Sequence, residues 1–361
     1  MHDIFFPENE DLPVGKIVGK RYRIIKKLGE GGCGCVYKVQ DVDKEEAFHA
    51  LKVEFHNSTI GSVLKMEVQI LQLLEKKRHV AKLIASGKRP TFTYMVMTLL
   101  GESLHNLSRK FGPTINVSTQ MRVAICVLYG LKQLHDVGYI HRDLKPANVA
   151  AGLNNTPEER FFLILDFGLS RQYIIQEPDG KAVMRRPREK AMFRGTTRYC
   201  SMAMHDRSDQ GRVDDLWALL YMLSELRRPL PWSDMSNKDA VSDLKKKTAD
   251  EVLLSKSPHE LLEFSAYIRT LTYYDRPDYE RIFTVFNKVM KEGSFKWSDP
   301  YHWDPLADRK EKKVRLLGKS PARSPLRHED SSKGSSSLQG TVETETPYFT
   351  AADFQTNPLG F

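Results

Sequence analysis

Residues 141–148 read His-Arg-Asp-Leu-Lys-Pro-Ala-Asn, which sets a carboxylate (Asp143), an ammonium (Lys145) and an amide (Asn148) at short, fixed spacing. Phosphoryl transfer needs this set: a carboxylate to orient a hydroxyl, a cation for the moving phosphoryl group and an amide oxygen for Mg²⁺. A polar loop that caps a helix is the plain alternative, and a second segment weighs against it. Asp166-Phe167-Gly168 follows the apolar run Phe161 to Leu165, so a strand should run into a tight Gly turn and present the Asp166 carboxylate to Mg²⁺. Alone, that tripeptide signals only a turn. Eighteen residues after Asn148, it supplies the second oxygen ligand that the first segment requires.

Upstream, Gly29-Glu30-Gly31-Gly32-Cys33-Gly34-Cys35-Val36 fits G-x-G-x-x-G-x-V. Gly29, Gly31 and Gly34 carry no Cβ to hold the backbone away from phosphates. A dinucleotide-binding turn shares the G-x-G-x-x-G core, but it lies between a strand and a helix. Here Tyr22 to Ile25 leads in and Val36 to Val39 leads out, and both flanks read as strands, so the glycines belong to a hairpin over a nucleotide. Ala50-Leu51-Lys52 fits the end of a V-A-I-K strand, which offers Lys52 to phosphates provided that it has a partner. Leu64, Glu67, Val68 and Leu71 recur at helical spacing and place Glu67 on a helix that can reach Lys52. Glu75, at the polar end of the same helix, is the second choice. A surface ion pair of little consequence is the plain reading of either.

Taken together, these motifs resemble the eukaryotic protein kinases from about Arg21 to Met290. Within them the chain looks like the casein kinase 1 group. Met97-Thr98-Leu99-Leu100-Gly101-Glu102-Ser103-Leu104 is similar to that group's hinge, and Phe193 to Ser201 to its F-R-G-T-x-R-Y-A-S segment. Met202-Ala203-Met204-His205 then stands where most kinases carry Ala-Pro-Glu, and Tyr274 to Tyr279 resembles the group's K-P-D-Y segment. Gly211 to Trp217, Leu64 to Val68 and Asp299 to Trp303 look most like the tau-tubulin kinases. Cys33 replaces the usual aromatic residue at the glycine-loop tip and Thr98 the usual hinge glutamate. The chain therefore reads as a divergent member to which the family's preferred substrate carries over poorly.

The resemblance implies an α+β, two-lobed protein kinase fold. Residues 1–20 are a lead-in, 21–97 a small β-rich N-lobe with one helix, 98–103 the hinge, 104–300 a mainly helical C-lobe, and 301–361 a tail expected to be disordered. It implies ATP and Mg²⁺ as cofactors and a protein Ser or Thr as acceptor. Asp143 would accept the hydroxyl proton, Lys145 would stabilise the γ-phosphoryl group, and Asn148 and Asp166 would hold Mg²⁺. Lys52 would position phosphates, Glu67 would position Lys52, and Thr196 would link the substrate loop to Asp143 and Lys145. The nucleotide would sit among Leu28, Gly29, Gly31, Gly34, Val36 and Ala50. Its base would bond the backbone from Thr98 to Leu100, with Met97 behind it. Asp215 would brace the catalytic-loop backbone, with a simple helix N-cap as the alternative. Leu71, His141 and Phe167 would stack between the lobes.

Composition agrees with an intracellular enzyme. The chain of 361 residues has room for one two-lobed domain and a tail. Its four cysteines show no C-x-x-C spacing, which suggests neither zinc nor a disulfide framework. The first ten residues are acidic and lack an apolar core, so no signal peptide is expected, and no apolar run approaches membrane-spanning length. The formal charge is +9, but no nucleic-acid recognition motif accompanies it. The reading is a monomeric, cytoplasmic enzyme with access to the nucleus. Basic residues crowd the segment from Arg171 to Arg198, which has no Ser or Thr between Ser170 and Thr196. Arg194 and Arg198 are therefore expected to hold an anion on the substrate, with mere solvation as the alternative. Beyond Leu306, Ser, Thr, Pro and charge dominate and periodicity is lost, so truncation there should leave the domain folded. Tyr348, Phe349 and Phe354 are the tail's candidates for any contact. The competing class is a non-catalytic scaffold of the same fold. Its usual signature is loss of the catalytic Asp, the metal Asp or the phosphate Lys, and Asp143, Asp166 and Lys52 are all present.

Overall fold

Alternation of apolar and polar residues builds the first lobe. In β3 (Gly34–Asp41), every second residue from Cys35 to Asp41 is buried, as the period of two in a strand requires. The computed structural model describes residues 11–31, 34–56, 63–112, 114–304 and 348–361. It arranges β1 (Ile17–Val18), β2 (Tyr22–Gly31), β3, β4 (Lys44–Phe55), β5 (Leu83–Lys88) and β6 (Phe92–Thr98) in one antiparallel sheet of order β1-β2-β3-β4-β6-β5. Ile24, Tyr37, Val39, Leu51, Val53 and Val96 fill its core. Asp41 occupies an inward position and keeps its charge because Arg21 donates to both its oxygens at 2.7 and 2.8 Å. That pairing holds the Asp41 carboxyl down at about 2, against the opposing effect of burial.

Helix α1 (Val63–Leu73) packs beside the sheet through Leu64, Glu67, Ile70 and Leu71. Its first turn is anchored from outside the helix, since the Glu54 carboxylate accepts from the Leu64 amide at 2.8 Å. A carboxylate suits a helix N-terminus, where amides have no intrahelical partner.

The second lobe is helical: α2 (Leu104–Phe111), α3 (Val117–Asp136), α4 (Met202–His205), α5 (Arg212–Glu225), α6 (Lys238–Lys247), α7 (Asp250–Leu253), α8 (Leu261–Ile268) and α9 (Tyr279–Glu292). Its axis is α3, buried on all sides from Ser118 to Asp136, with buried charges paired, as Lys132 is with Asp136. The Asn116 side chain caps it by accepting from the Thr119 amide at 2.8 Å. The short strands β7 (Tyr139–Ile140), β8 (Val149–Ala151), β9 (Phe162–Ile164) and β10 (Arg171–Gln172) form two small ladders, β7 with β10 and β8 with β9. These ladders bring residues 141–148 and 166–168 together. Strands β11 (Ile174–Gln176) and β12 (Ala182–Met184) form a further hairpin. None of the described helices is long and apolar enough to cross a membrane.

The tail departs from expectation. Residues 348–361 lie against the C-lobe, with Phe349 only 5% exposed and Phe354 fully buried. The Phe354 ring stacks on Phe283 of α9 at 4.5 Å, and Phe349 meets His79, Tyr129, Phe161 and Trp297 at ring separations of 5.0 to 5.8 Å. Asp353 pairs with Arg78, and Arg276 donates to the Thr356 carbonyl at 2.8 Å. The expectation of a wholly disordered tail after residue 301 fails for this segment, because two aromatic anchors suffice where the domain offers an aromatic surface to receive them. Residues 309–327, which carry eight Lys and Arg against Glu311, and the pairs Ser320-Pro321 and Ser324-Pro325, which offer sites for other kinases, lie outside the described residues.

Candidate active site

The loop of residues 141–148 is aimed by a buried carboxylate. Asp215, 2% exposed in the first turn of α5, accepts from the amides of His141 at 2.7 Å and Arg142 at 2.8 Å. It also meets His135 Nε2 at 2.8 Å, while the Tyr279 hydroxyl lies 2.6 Å from His135 Nδ1. Burial lowers the His135 pKa, and a neutral ring donating from Nε2 and accepting at Nδ1 satisfies both partners. Asp215 is therefore no helix cap; that task falls to Gly211 and Asp214. Its bonds hold Arg142 at φ +67°, a left-handed conformation that a long side chain adopts only under constraint. The chain turns there, and Asp143 emerges at the cleft.

Asp143, Lys145 and Thr196 form a closed triangle. Thr196 Oγ1 donates to Asp143 Oδ1 at 2.7 Å, and Lys145 Nζ donates to Asp143 Oδ2 at 2.6 Å and to Thr196 Oγ1 at 3.2 Å. Gly195 makes room for this, since a Cβ there would stand 2.5 Å from the Arg142 carbonyl oxygen. Asn148 donates from Nδ2 to the Asp143 carbonyl at 2.9 Å, which leaves its amide oxygen as an acceptor.

Across the cleft, Lys52 of β4 donates to Glu67 of α1 and to Asp166 Oδ1, the latter at 2.9 Å. Glu75 makes no such pair with Lys52, because it lies beyond the end of α1 at Leu73. Glu67 is 1% exposed, and burial raises its carboxyl to about 7 against the pull of Lys52. Lys52 shows the opposite balance: burial works against its charge, but Glu67 and Asp166 hold it protonated. Enclosure likewise opposes the Asp166 charge, and Lys52 keeps that carboxyl below the usual carboxylate range. Asp166 itself sits at φ +63°. Gly168 is required two residues on, since a Cβ there would meet Val63 of α1 at 2.6 Å. Leu71, His141 and Phe167 are all buried, and the rings of His141 and Phe167 lie 5.7 Å apart.

The glycine hairpin pairs Gly29 with Val36 and Gly31 with Gly34. Its tip, Gly32 and Cys33, lies outside the described residues. A Cβ added at Gly29 or Gly31 would meet no protein atom within 4 Å, so packing within the chain does not demand glycine there. The space there is open to a ligand. Leu28 is 45% exposed, Val36, Met97 and Leu100 are half-buried, and buried Ala50 pairs with Met97 across β4 and β6. These apolar side chains suit a flat aromatic base. Thr98 uses its amide on the Lys82 carbonyl at 3.0 Å, and its hydroxyl accepts from the Lys82 amide at 2.9 Å. Its side chain thus ties β6 to residue 82. The oxygen donors of Asp166 and Asn148 suit a hard cation that keeps further ligands from phosphate and water.

The basic segment differs from expectation. Arg188 donates to both oxygens of Asp209 at 2.9 and 3.1 Å, and Arg171 reaches the same carboxylate at 3.3 Å. Arg198 donates to Glu225 at 3.1 Å and to the Ser233 carbonyl at 2.7 Å. Three of the arginines thus meet anions supplied by the protein itself. Asp209 and Glu225 carry no local sequence signal for this role, since their partners lie 21 to 38 residues away. Arg194 is exposed. Arg142 is largely enclosed and donates to the Leu169 carbonyl at 2.7 Å. Burial, and after it the neighbouring charges of Arg171, Arg194 and Arg188, lower its pKa to about 10.

Comparison with known proteins agrees with this geometry. The profile of the protein kinase domain matches residues 22–283. The chain is 54% identical over 98% of both sequences to the Caenorhabditis elegans protein named "Putative serine/threonine-protein kinase K06H7.1". It is 36% identical to the "Inactive tau-tubulin kinase ttbk-6" of the same organism, over 63% of this chain and 80% of the relative. It is 28% identical to "Serine/threonine-protein kinase spe-6", also of C. elegans, over 82% of this chain and 79% of the relative.

Proposed function

The chain belongs to the protein kinase family, and from that premise we propose that it is an active enzyme transferring the γ-phosphoryl group of ATP to Ser or Thr of a protein, as a divergent member of the casein kinase 1 group near the tau-tubulin kinases. Protein kinase domains in general use ATP with Mg²⁺. The observation that carries the reading is the convergence of Asp143, Lys145 and Thr196 on one side of the cleft with Lys52, Glu67 and Asp166 on the other. Asp143 orients the acceptor hydroxyl and takes its proton. Lys145, already bonded to Asp143 and Thr196, stabilises charge on the transferring group. Lys52 positions phosphates and is itself positioned by Glu67. Asn148 and Asp166 would hold Mg²⁺, which neutralises phosphate charge when bound.

The acceptor sequence is proposed to be acidic or already phosphorylated. Arg142 and exposed Arg194 support this, because the internal carboxylates leave their neighbourhood with surplus positive charge. Arg198 contributes less than its position in the sequence suggests, since both terminal nitrogens have internal acceptors. The name of one relative, an inactive tau-tubulin kinase, keeps a scaffold function as the second reading.

Radiolabelled-phosphate transfer onto acidic and basic peptide arrays decides between them. Wild type should label Ser and Thr in acidic peptides, and Asp143→Asn should lose on the order of 10²–10⁴-fold in turnover while keeping nucleotide affinity. Arg194→Ala should lose acidic peptides selectively, and added salt should raise their KM more than that of neutral ones. Equal turnover by wild type and Asp143→Asn overturns the mechanism. A preference for basic peptides overturns the acidic context alone.

A further inference from the structure

The docked segment 348–361 ends against the catalytic loop's own support. Leu359 and Phe361 pack on the buried cluster of Ile140, Tyr173 and Ile174, together with Met184 of β12. Ile140 is the residue before His141. Arg212, the first residue of α5, is 2% exposed, and its Nε has no hydrogen-bond acceptor among the described residues. Its other nitrogens donate to the main-chain oxygen of Phe361 at 2.9 Å and to that of Tyr274 at 3.2 Å, and the guanidinium stacks over Tyr173 at 4.8 Å. A buried guanidinium needs acceptors, and among the described residues this one draws one of them from the tail.

The path from there is short and made of hydrogen bonds. The Tyr173 hydroxyl donates to the His135 carbonyl at 2.7 Å. His135 meets Asp215, and Asp215 holds the amides of His141 and Arg142. The strained turn at Arg142 that aims Asp143 therefore rests on a network whose far end is the tail. The tail's described partners lie on α3, α9, β7 and the β11–β12 hairpin, at Arg212 of α5 and at Arg78, His79, Phe161, Arg276 and Trp297, and none of these is a residue of the cleft.

We propose that residues 348–361 are an internal brace for the catalytic loop, and that Arg212 is the positioning residue through which the segment acts. The proposal rests on the kinase reading only for its turnover measurement. The test uses the full chain with Leu359→Ala and Phe361→Ala combined, which leaves the Phe349 and Phe354 anchors in place. Amide hydrogen exchange at residues 139–143 should rise on the order of tenfold, and kcat should fall by a similar factor while the KM for ATP stays nearly constant. Arg212→Lys keeps the charge and loses the planar fork, and should move exchange and kcat in the same direction. A merely structural tail would lower the melting temperature with no excess exchange at His141 and Arg142 and no change in kcat at a permissive temperature. That result overturns the proposal, and so does a rise in kcat, which would make the segment inhibitory. Should wild type transfer no phosphate at all, the kinase reading fails while the exchange measurement still decides the brace.

Discussion

Phe354→Ala measures what the docked tail contributes to the fold. The ring is fully buried, stacked on Phe283 at 4.5 Å and 14° and set edge-on to Tyr129 at 5.7 Å. Truncating a buried Phe to Ala costs about 3–5 kcal/mol where the surroundings cannot relax. Here the segment can detach as a unit, so the loss is capped at its docking free energy and the lower end, about 3 kcal/mol, is the expectation. For a domain of this size each kcal/mol shifts the melting temperature by about 2 °C, which gives a fall of roughly 6 °C by calorimetry. Gln355→Ala, one residue on and exposed, is the control and should change stability by no more than about 0.5 kcal/mol. Adding Phe283→Ala closes a double-mutant cycle, and the stacked pair should show a coupling of about 1 kcal/mol. If Phe354→Ala melts with wild type, the docked aromatic contributes nothing and the packing argument is wrong.

Lys52→Met should retain nucleotide, by fluorescence titration, yet lower kcat on the order of 10²-fold or more, because the cation between Glu67 and Asp166 is gone; turnover at the wild-type rate would refute the assigned role. Lys245 is buried, donates to the carbonyls of Thr197 and Cys200 at 2.8 and 2.7 Å, and has its pKa lowered by burial to about 8. Between that value and about 10.5 the unfolded chain binds more protons than the native one, so this group's contribution makes stability rise with pH across the window. Lys245→Met should remove that slope, worth on the order of 3 kcal/mol, in urea unfolding at pH 7 and pH 10; parallel pH profiles for the two proteins would show the lysine titrating normally.

The segments that converge at the cleft are those written as short contiguous motifs. Asp143, Lys145 and Asn148 lie within one loop, and glycines at residues 34 and 168 stand where a Cβ would meet a neighbouring element. Spacing of that kind survives in the linear order of residues. The tail contact does not, because Phe349 and Phe354 are only two aromatic residues with no periodic partner. The surface that receives them is assembled from His79, Tyr129, Phe161, Phe283 and Trp297, spread over more than half the chain. The ion pairs of Arg188 with Asp209 and Arg198 with Glu225 are hidden for the same reason. Charge alone does not say whether a side chain faces solvent, substrate or another part of the same molecule.

Because residues 348–361 dock, the 43 residues from 305 to 347 join two fixed points. Rebinding of a released segment is then a first-order event, independent of protein concentration, governed by an effective concentration of about a millimolar or less. Dilution does not undock it, and a competing peptide supplied from outside must reach that concentration to displace it with equal intrinsic affinity.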